Sequence, residues 1–80
     1  MSRQKSQAYL LIETNVSKTL PLEKALIKIK GVKTVSTVTG PFDIIILLEA
    51  DSPEQIGQII LKKIRLLPGI VRTLTCVVVG

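Results

Sequence analysis

A chain of 80 residues has room for one domain, and at that size its own core is marginal, burying roughly 60% of the surface it would expose unfolded. One cysteine and no histidine exclude a disulfide framework and argue against a structural zinc, so added stability is expected from a partner subunit. The net charge of +5 raises nucleic acid as a partner to be tested. No apolar run approaches the ~20 residues of a membrane span.

Residues 1–6 read as a polar tail without the apolar stretch of a secretory signal, followed by a single domain over residues 7–80 expected in the cytoplasm. Ala8-Tyr9-Leu10-Leu11-Ile12-Glu13 is apolar at both alternating positions, as a central strand requires. Asn15 to Thr19 forms the connection to a helix. There Leu22, Ala25, Leu26 and Ile29 fall at the i, i+3, i+4, i+7 spacing of one buried stripe. Pro21 suits its first turn, Lys28 and Lys30 suit its negative end, and Gly31 supplies the stop.

Val32 to Thr39 is rich in β-branched residues and predicts a second strand. Gly40-Pro41 breaks it, and Phe42 to Ala50 predicts a third. With Ile44 to Leu48 all aliphatic, that strand is expected to be covered on both sides. Ser52-Pro53-Glu54-Gln55 is a helix-start signature: a capping Ser, Pro at the first helical position, and Gln three residues after the Ser. The buried stripe of that helix is Ile56, Ile59, Ile60, Ile64 and Leu67. Pro68-Gly69 ends it, and Ile70 to Val79 predicts the last strand.

The order βαββαβ carries a loose half-repeat, Gly31-Val32-Lys33-Thr34 against Gly69-Ile70-Val71-Arg72-Thr73. Two such units side by side give an α+β, ferredoxin-like sandwich, a four-stranded antiparallel sheet with two helices on one face. Residues on the other face then have no cover from this chain. Ile45 and Leu47 oppose Ile44, Ile46 and Leu48, and Leu11 opposes Leu10 and Ile12. Either assignment of faces leaves clustered aliphatics uncovered, which marks a protein–protein surface.

Enzymatic chemistry lacks its groups. Without histidine, a neutral-pH general base would need a carboxylate or lysine of strongly shifted pKa. The six acidic residues form no acid–base pair, and Glu49 and Asp51 read as solvated. Cys76, in an apolar strand without a neighbouring base, reads as a buried structural thiol. No catalytic residue, metal site or cofactor is expected. A sheet that stacks bases needs exposed aromatics on its central strands, and Tyr9 is the first strand's only one. The lysines read as spread over the tail, both helices and Lys33.

Thr39-Gly40-Pro41-Phe42-Asp43 admits two readings. A tight turn accounts for Gly40 and Pro41. A ligand lip accounts for Asp43, a carboxylate entering an aliphatic strand, where it would pair with a ligand ammonium while the Gly40 N–H donates to a ligand carboxylate.

At these residues the chain resembles the C-terminal effector domain of the Lrp/AsnC (feast/famine) transcription regulators, the RAM domain of amino-acid metabolism. The resemblance rests on the Ala8 to Ile12 strand, Gly31-Val32, the Thr-Gly-x-(Tyr/Phe)-Asp form of residues 39–43, and Leu67-Pro68-Gly69-Ile70 with Thr73-Leu74-Thr75. It spans residues 7 to 79. It implies dimers paired sheet to sheet as an α+β barrel, assembling further into tetramers, octamers or larger rings. It also implies an amino acid or related effector bound between dimers near the turn.

On that resemblance Gly40, Asp43, Thr73 and Thr75 are the effector-site candidates, and Leu11, Ile45 and Leu47 the dimer contacts. The family's helix-turn-helix is not matched, so a stand-alone form is expected. Such a form has no specific DNA binding alone and acts through itself or a full-length Lrp/AsnC regulator. The rival readings are an assembly partner without ligand and a small dimeric α+β-barrel enzyme. Pro41 stands where the family often has a polar residue.

Overall fold

The computed structural model describes residues 5–15 and 19–80. The first four residues of the polar tail and positions 16–18 of the first connection lie outside these. The elements follow the predicted order. They are β1 (Ser6–Thr14), α1 (Thr19–Ile27), β2 (Val32–Thr37), β3 (Ile44–Ala50), α2 (Pro53–Ile59) running into a π-helical turn (Ile60–Ile64), and β4 (Ile70–Val77). The sheet order is β2-β3-β1-β4, and each neighbouring pair is antiparallel. This is the ferredoxin-like α+β sandwich.

Register settles which side of each strand meets the helices. Leu10 lies opposite Ile46 and Ile12 opposite Ile44, and all four are fully buried with Ala8 and Leu48. Leu22 and Leu26 of α1, and Ile56, Ile60 and Ile64 beyond β3, complete that core. Each buried aliphatic contributes about 2 kcal/mol of transfer free energy. Leu11, Ile45 and Leu47 therefore occupy the open face.

Several boundaries differ from those read off the sequence. α1 stops at Ile27 rather than running to Lys30, because the next N–H groups bond three residues back, Lys28 to the carbonyl of Ala25 and Ile29 to that of Leu26. That tightening ends the helix, and Gly31 then turns the chain at φ +101°. Added side-chain carbon at Gly31 would come 2.7 Å from Ile59 Cδ1 and 3.2 Å from the Glu49 carbonyl, so close packing and conformation both select glycine there.

β2 ends at Thr37 and β3 begins at Ile44, so Thr39, Phe42 and Asp43 belong to the connection. Gly40, at φ +134°, turns the backbone between the two strands. β4 ends at Val77, and Val79 is almost fully exposed instead of continuing the strand.

α2 starts as its signature predicts. The Ser52 hydroxyl accepts from the Gln55 N–H, and the Gln55 side chain accepts in return from the Asp51 N–H. Beyond Ile59 the helix is no longer a plain α-helix, since the Arg65 N–H reaches back five residues to the Ile60 carbonyl. Ile56, Ile60 and Ile64 recur every four residues. An α-helix of about 3.6 residues per turn carries such a stripe off its face by roughly 40° per repeat. The wider π turn removes part of that drift, and Ile64 stays fully buried.

Candidate functional site

The β2–β3 connection holds Gly40 and Asp43 together at one end of the sheet. Its backbone is tied in at Asp43, whose N–H donates to the Ile12 carbonyl and whose carbonyl accepts from the Val38 N–H. The carboxylate is also engaged. Oδ2 accepts from the Thr14 N–H at 2.8 Å and from the Thr14 hydroxyl at 3.3 Å. Thr14 is only 6% exposed, so it needs such an acceptor.

Asp43 thus anchors the end of β1, a role that neither reading of the sequence contained. Among the described residues no hydrogen bond is directed at its second oxygen, Oδ1. Around Gly40 the space is open: apart from its chain neighbours, no atom of the described residues lies within 4 Å of where a side-chain carbon would stand.

Thr73 and Thr75 lie on the other flank of β1. Thr73 pairs with Ile12 and Thr75 with Leu10, which puts both on the helix-side face of the edge strand. Thr73 is half-buried and Thr75 exposed. Thr73 and Ile44 both face Ile12 from opposite sides, about 10 Å apart across two strand spacings. The turn and Thr73 therefore bracket the C-terminal end of β1, while Thr75 lies one pleat further along.

A second cluster at the same end escapes a reading of the sequence. The Arg72 guanidinium sits 4.7 Å from the Phe42 ring centroid, and its Nε donates to Glu13 Oε1 at 3.0 Å. Glu13 and Arg72 are cross-strand partners, so the cluster ties the connection, β1 and β4 together. The residues of the ion pair are 59 apart in sequence, and only the β1–β4 register reveals it.

The open face carries Leu11 opposite both Ile45 and Leu74, and Tyr9 opposite both Leu47 and Cys76. Tyr9 and Leu74 are about half exposed, at 45% and 50%. Polar pairs close the patch at each end, Gln7 with Glu49 on one side and Glu13 with Arg72 on the other. Cys76 is exposed on this face. The sequence predicts a buried thiol, but the β4 edge places it on the side the helices do not cover. Glu49, predicted to be solvated, is half-buried between Gln7 and Lys33. Asp51 is exposed and paired with Lys5.

Among the described residues no three metal-ligating side chains cluster. No helix there is long and apolar enough to cross a membrane.

Comparison with known proteins agrees with this architecture. Residues 7–80 match the Lrp/AsnC ligand binding domain. Two curated relatives are similar over shorter stretches. A homocitrate synthase of Sulfurisphaera tokodaii is 39% identical over 66 residues, 82% of this chain and 14% of that protein. An uncharacterized HTH-type transcriptional regulator of Pyrococcus furiosus is 38% identical over 50 residues, 62% of this chain and 33% of that protein. The chain thus spans well under half the length of either.

Among solved structures, FFRP-DM1 superposes with a TM-score of 0.88 at 30% identity, covering 92% of this chain and 99% of its own. With the family matched over nearly the whole length and the fold matched to one of its solved structures, this chain belongs to the Lrp/AsnC ligand-binding-domain family.

Proposed function

We propose that this chain is an effector-sensing and self-assembling module that modulates transcription through assembly with itself or with a full-length regulator. The observation that carries the reading is the match of residues 7–80 to a ligand-binding domain, beside a similarity over 50 residues to an HTH-type regulator. In this reading the open sheet face receives the same face of a second copy, with Leu11, Ile45 and Leu47 at its centre beside Tyr9 and Leu74. Apolar surface with a polar rim is the anatomy of such contacts.

The effector, an amino acid or related small molecule, binds at the end of the sheet where Gly40 and Asp43 meet the C-terminal end of β1. Asp43 Oδ1 serves as acceptor for its ammonium group. The open approach to the Gly40 backbone serves its carboxylate, and Thr73 and Thr75 supply hydroxyls from the far flank. Dimers stacking at this end would complete the pocket, since the turn alone encloses little.

Native mass spectrometry of the purified protein, alone and with a panel of free amino acids, tests both halves. An even-numbered oligomer that gains one discrete ligand mass per site is expected. A monomer at micromolar concentration would overturn the assembly half, and an oligomer that takes up no amino acid would overturn the sensing half.

The homocitrate synthase similarity favours a second reading, in which the same module acts on a partner enzyme. Affinity purification separates the two by whether a DNA-binding regulator or a metabolic enzyme is retained.

A further inference from the structure

We infer that this chain has a second ligand site, a lysine-walled groove at the opposite end of the sheet from the Gly40–Asp43 turn, which binds a compact multivalent phosphate group such as the di- or triphosphate of a nucleotide. The groove is open to solvent and has a volume of about 560 Å³, within the size range of small-molecule sites. Its walls bring together Lys5, Lys30, Lys33, Lys62 and Lys63. These come from the residue before β1, the α1–β2 connection, β2 and the π-helical turn. The turn at Gly40–Asp43 lies at the other end of β3, roughly 20 Å away along seven strand residues.

Charge is the main argument. Five lysines of a chain with 11 basic residues converge on one concavity, where two carboxylates accompany them. Lys5 pairs with Asp51 at 2.8 Å and Lys33 with Glu49 at a long 3.7 Å. Lys30, Lys62 and Lys63 have no carboxylate within ion-pair distance among the described residues. Gathering like charges opposes folding, and nothing in the packing of the fold needs it. A polyanion between the walls would offset that repulsion.

The shape of the site narrows the class. Gln55 and Gln58 share the groove-facing side of α2 with Ile59, and that side continues through Lys62 and Lys63 at helical spacing. The two amides add neutral hydrogen-bond groups beside the ammonium groups. The floor is apolar and close-packed, with Gly31 against Ile59. Among the described residues no aromatic side chain lines the groove, so they offer no platform for stacked bases. The lysines line a single concavity. A small, highly charged anion fits that arrangement better than a nucleic-acid strand.

The test is isothermal titration of the intact protein with sodium tripolyphosphate, ATP, citrate and a short DNA duplex, at about 150 mM salt. The expected result is saturable binding of tripolyphosphate and ATP at one per chain. The exposed double variant K62Q/K63Q should weaken both by about tenfold or more, with an unchanged thermal melt. K30Q, in the α1–β2 connection, provides the independent check and should also weaken both.

Equal affinity for tripolyphosphate and ATP supports a site that reads phosphate alone. Tighter ATP supports a nucleotide whose base adds contacts. Four outcomes would overturn the site: no saturable binding, unaltered binding by K62Q/K63Q, citrate bound as tightly as tripolyphosphate, or duplex DNA bound more tightly than either phosphate ligand.

Discussion

Asp43 combines an anchoring role with a place at the candidate site. Its carboxylate takes the N–H and hydroxyl of buried Thr14, so removing it leaves a buried donor without its acceptor. Asp43→Ala should therefore lower stability by about 1–3 kcal/mol, equivalent to several degrees in the melting midpoint for a domain this small. Asp43→Asn keeps a neutral acceptor for Thr14 and should lose much less. If Asp43 also receives the effector's ammonium, Asp43→Asn weakens amino-acid binding despite its retained fold, as calorimetry would show. An Asp43→Ala protein that melts like the parent would remove the anchoring role. The sequence marks Asp43 as unusual because it interrupts aliphatics. Thr14 as its partner is invisible there, because the two are 29 residues apart and meet only when β1 and β3 pair.

At the scale of elements, local chemistry is legible where it acts locally. The cap at Ser52 and the turns at Gly31 and Gly69, both with positive φ, are set by residues within a few positions of one another. Ser52→Ala removes the acceptor for the Gln55 N–H and should cost about 1 kcal/mol, read from chemical denaturation. Unchanged stability would mean that water replaces the cap. The π-helical turn is not legible, since the stripe Ile56, Ile60, Ile64 is equally compatible with an α-helix that bends or slips. Packing of Ile64 into the core decides it. The early end of α1 is similar: the lysines after Ile27 are good helix formers, yet the chain must turn at Gly31 to deliver Val32 to the sheet edge.

For the whole molecule, small size makes dependence on assembly the expectation to test. If the open sheet face is covered by a second copy, the melting temperature should rise with protein concentration. Leu47→Glu, which sets a charge opposite Tyr9 on that face, should yield a folded monomer or a much weakened protein whose melting no longer responds to concentration. Light scattering with circular dichroism reads both. A variant that stays folded at the parent's mass would place the interface elsewhere. Sequence alternation separates Leu47 from Ile46 and Leu48, and the β1–β3 register then puts it on the open face.

The element order, the ferredoxin-like arrangement and the apolar stripes of the two helices were determined by the sequence itself. Each follows from periodicity or from turn and cap residues acting over a few positions. Which aliphatics face the helices was decided only by the tertiary structure. So were the pairing of Thr14 with Asp43, of Glu13 with Arg72, the exposure of Cys76 and the gathering of the lysines. Five lysines that look dispersed along the chain line one groove, because antiparallel pairing brings the start of β1, the end of β3 and the start of β2 to the same end of the sheet, and the π-helical turn packs beside it. Charge, unlike hydrophobic periodicity, leaves no local pattern that announces where it will converge.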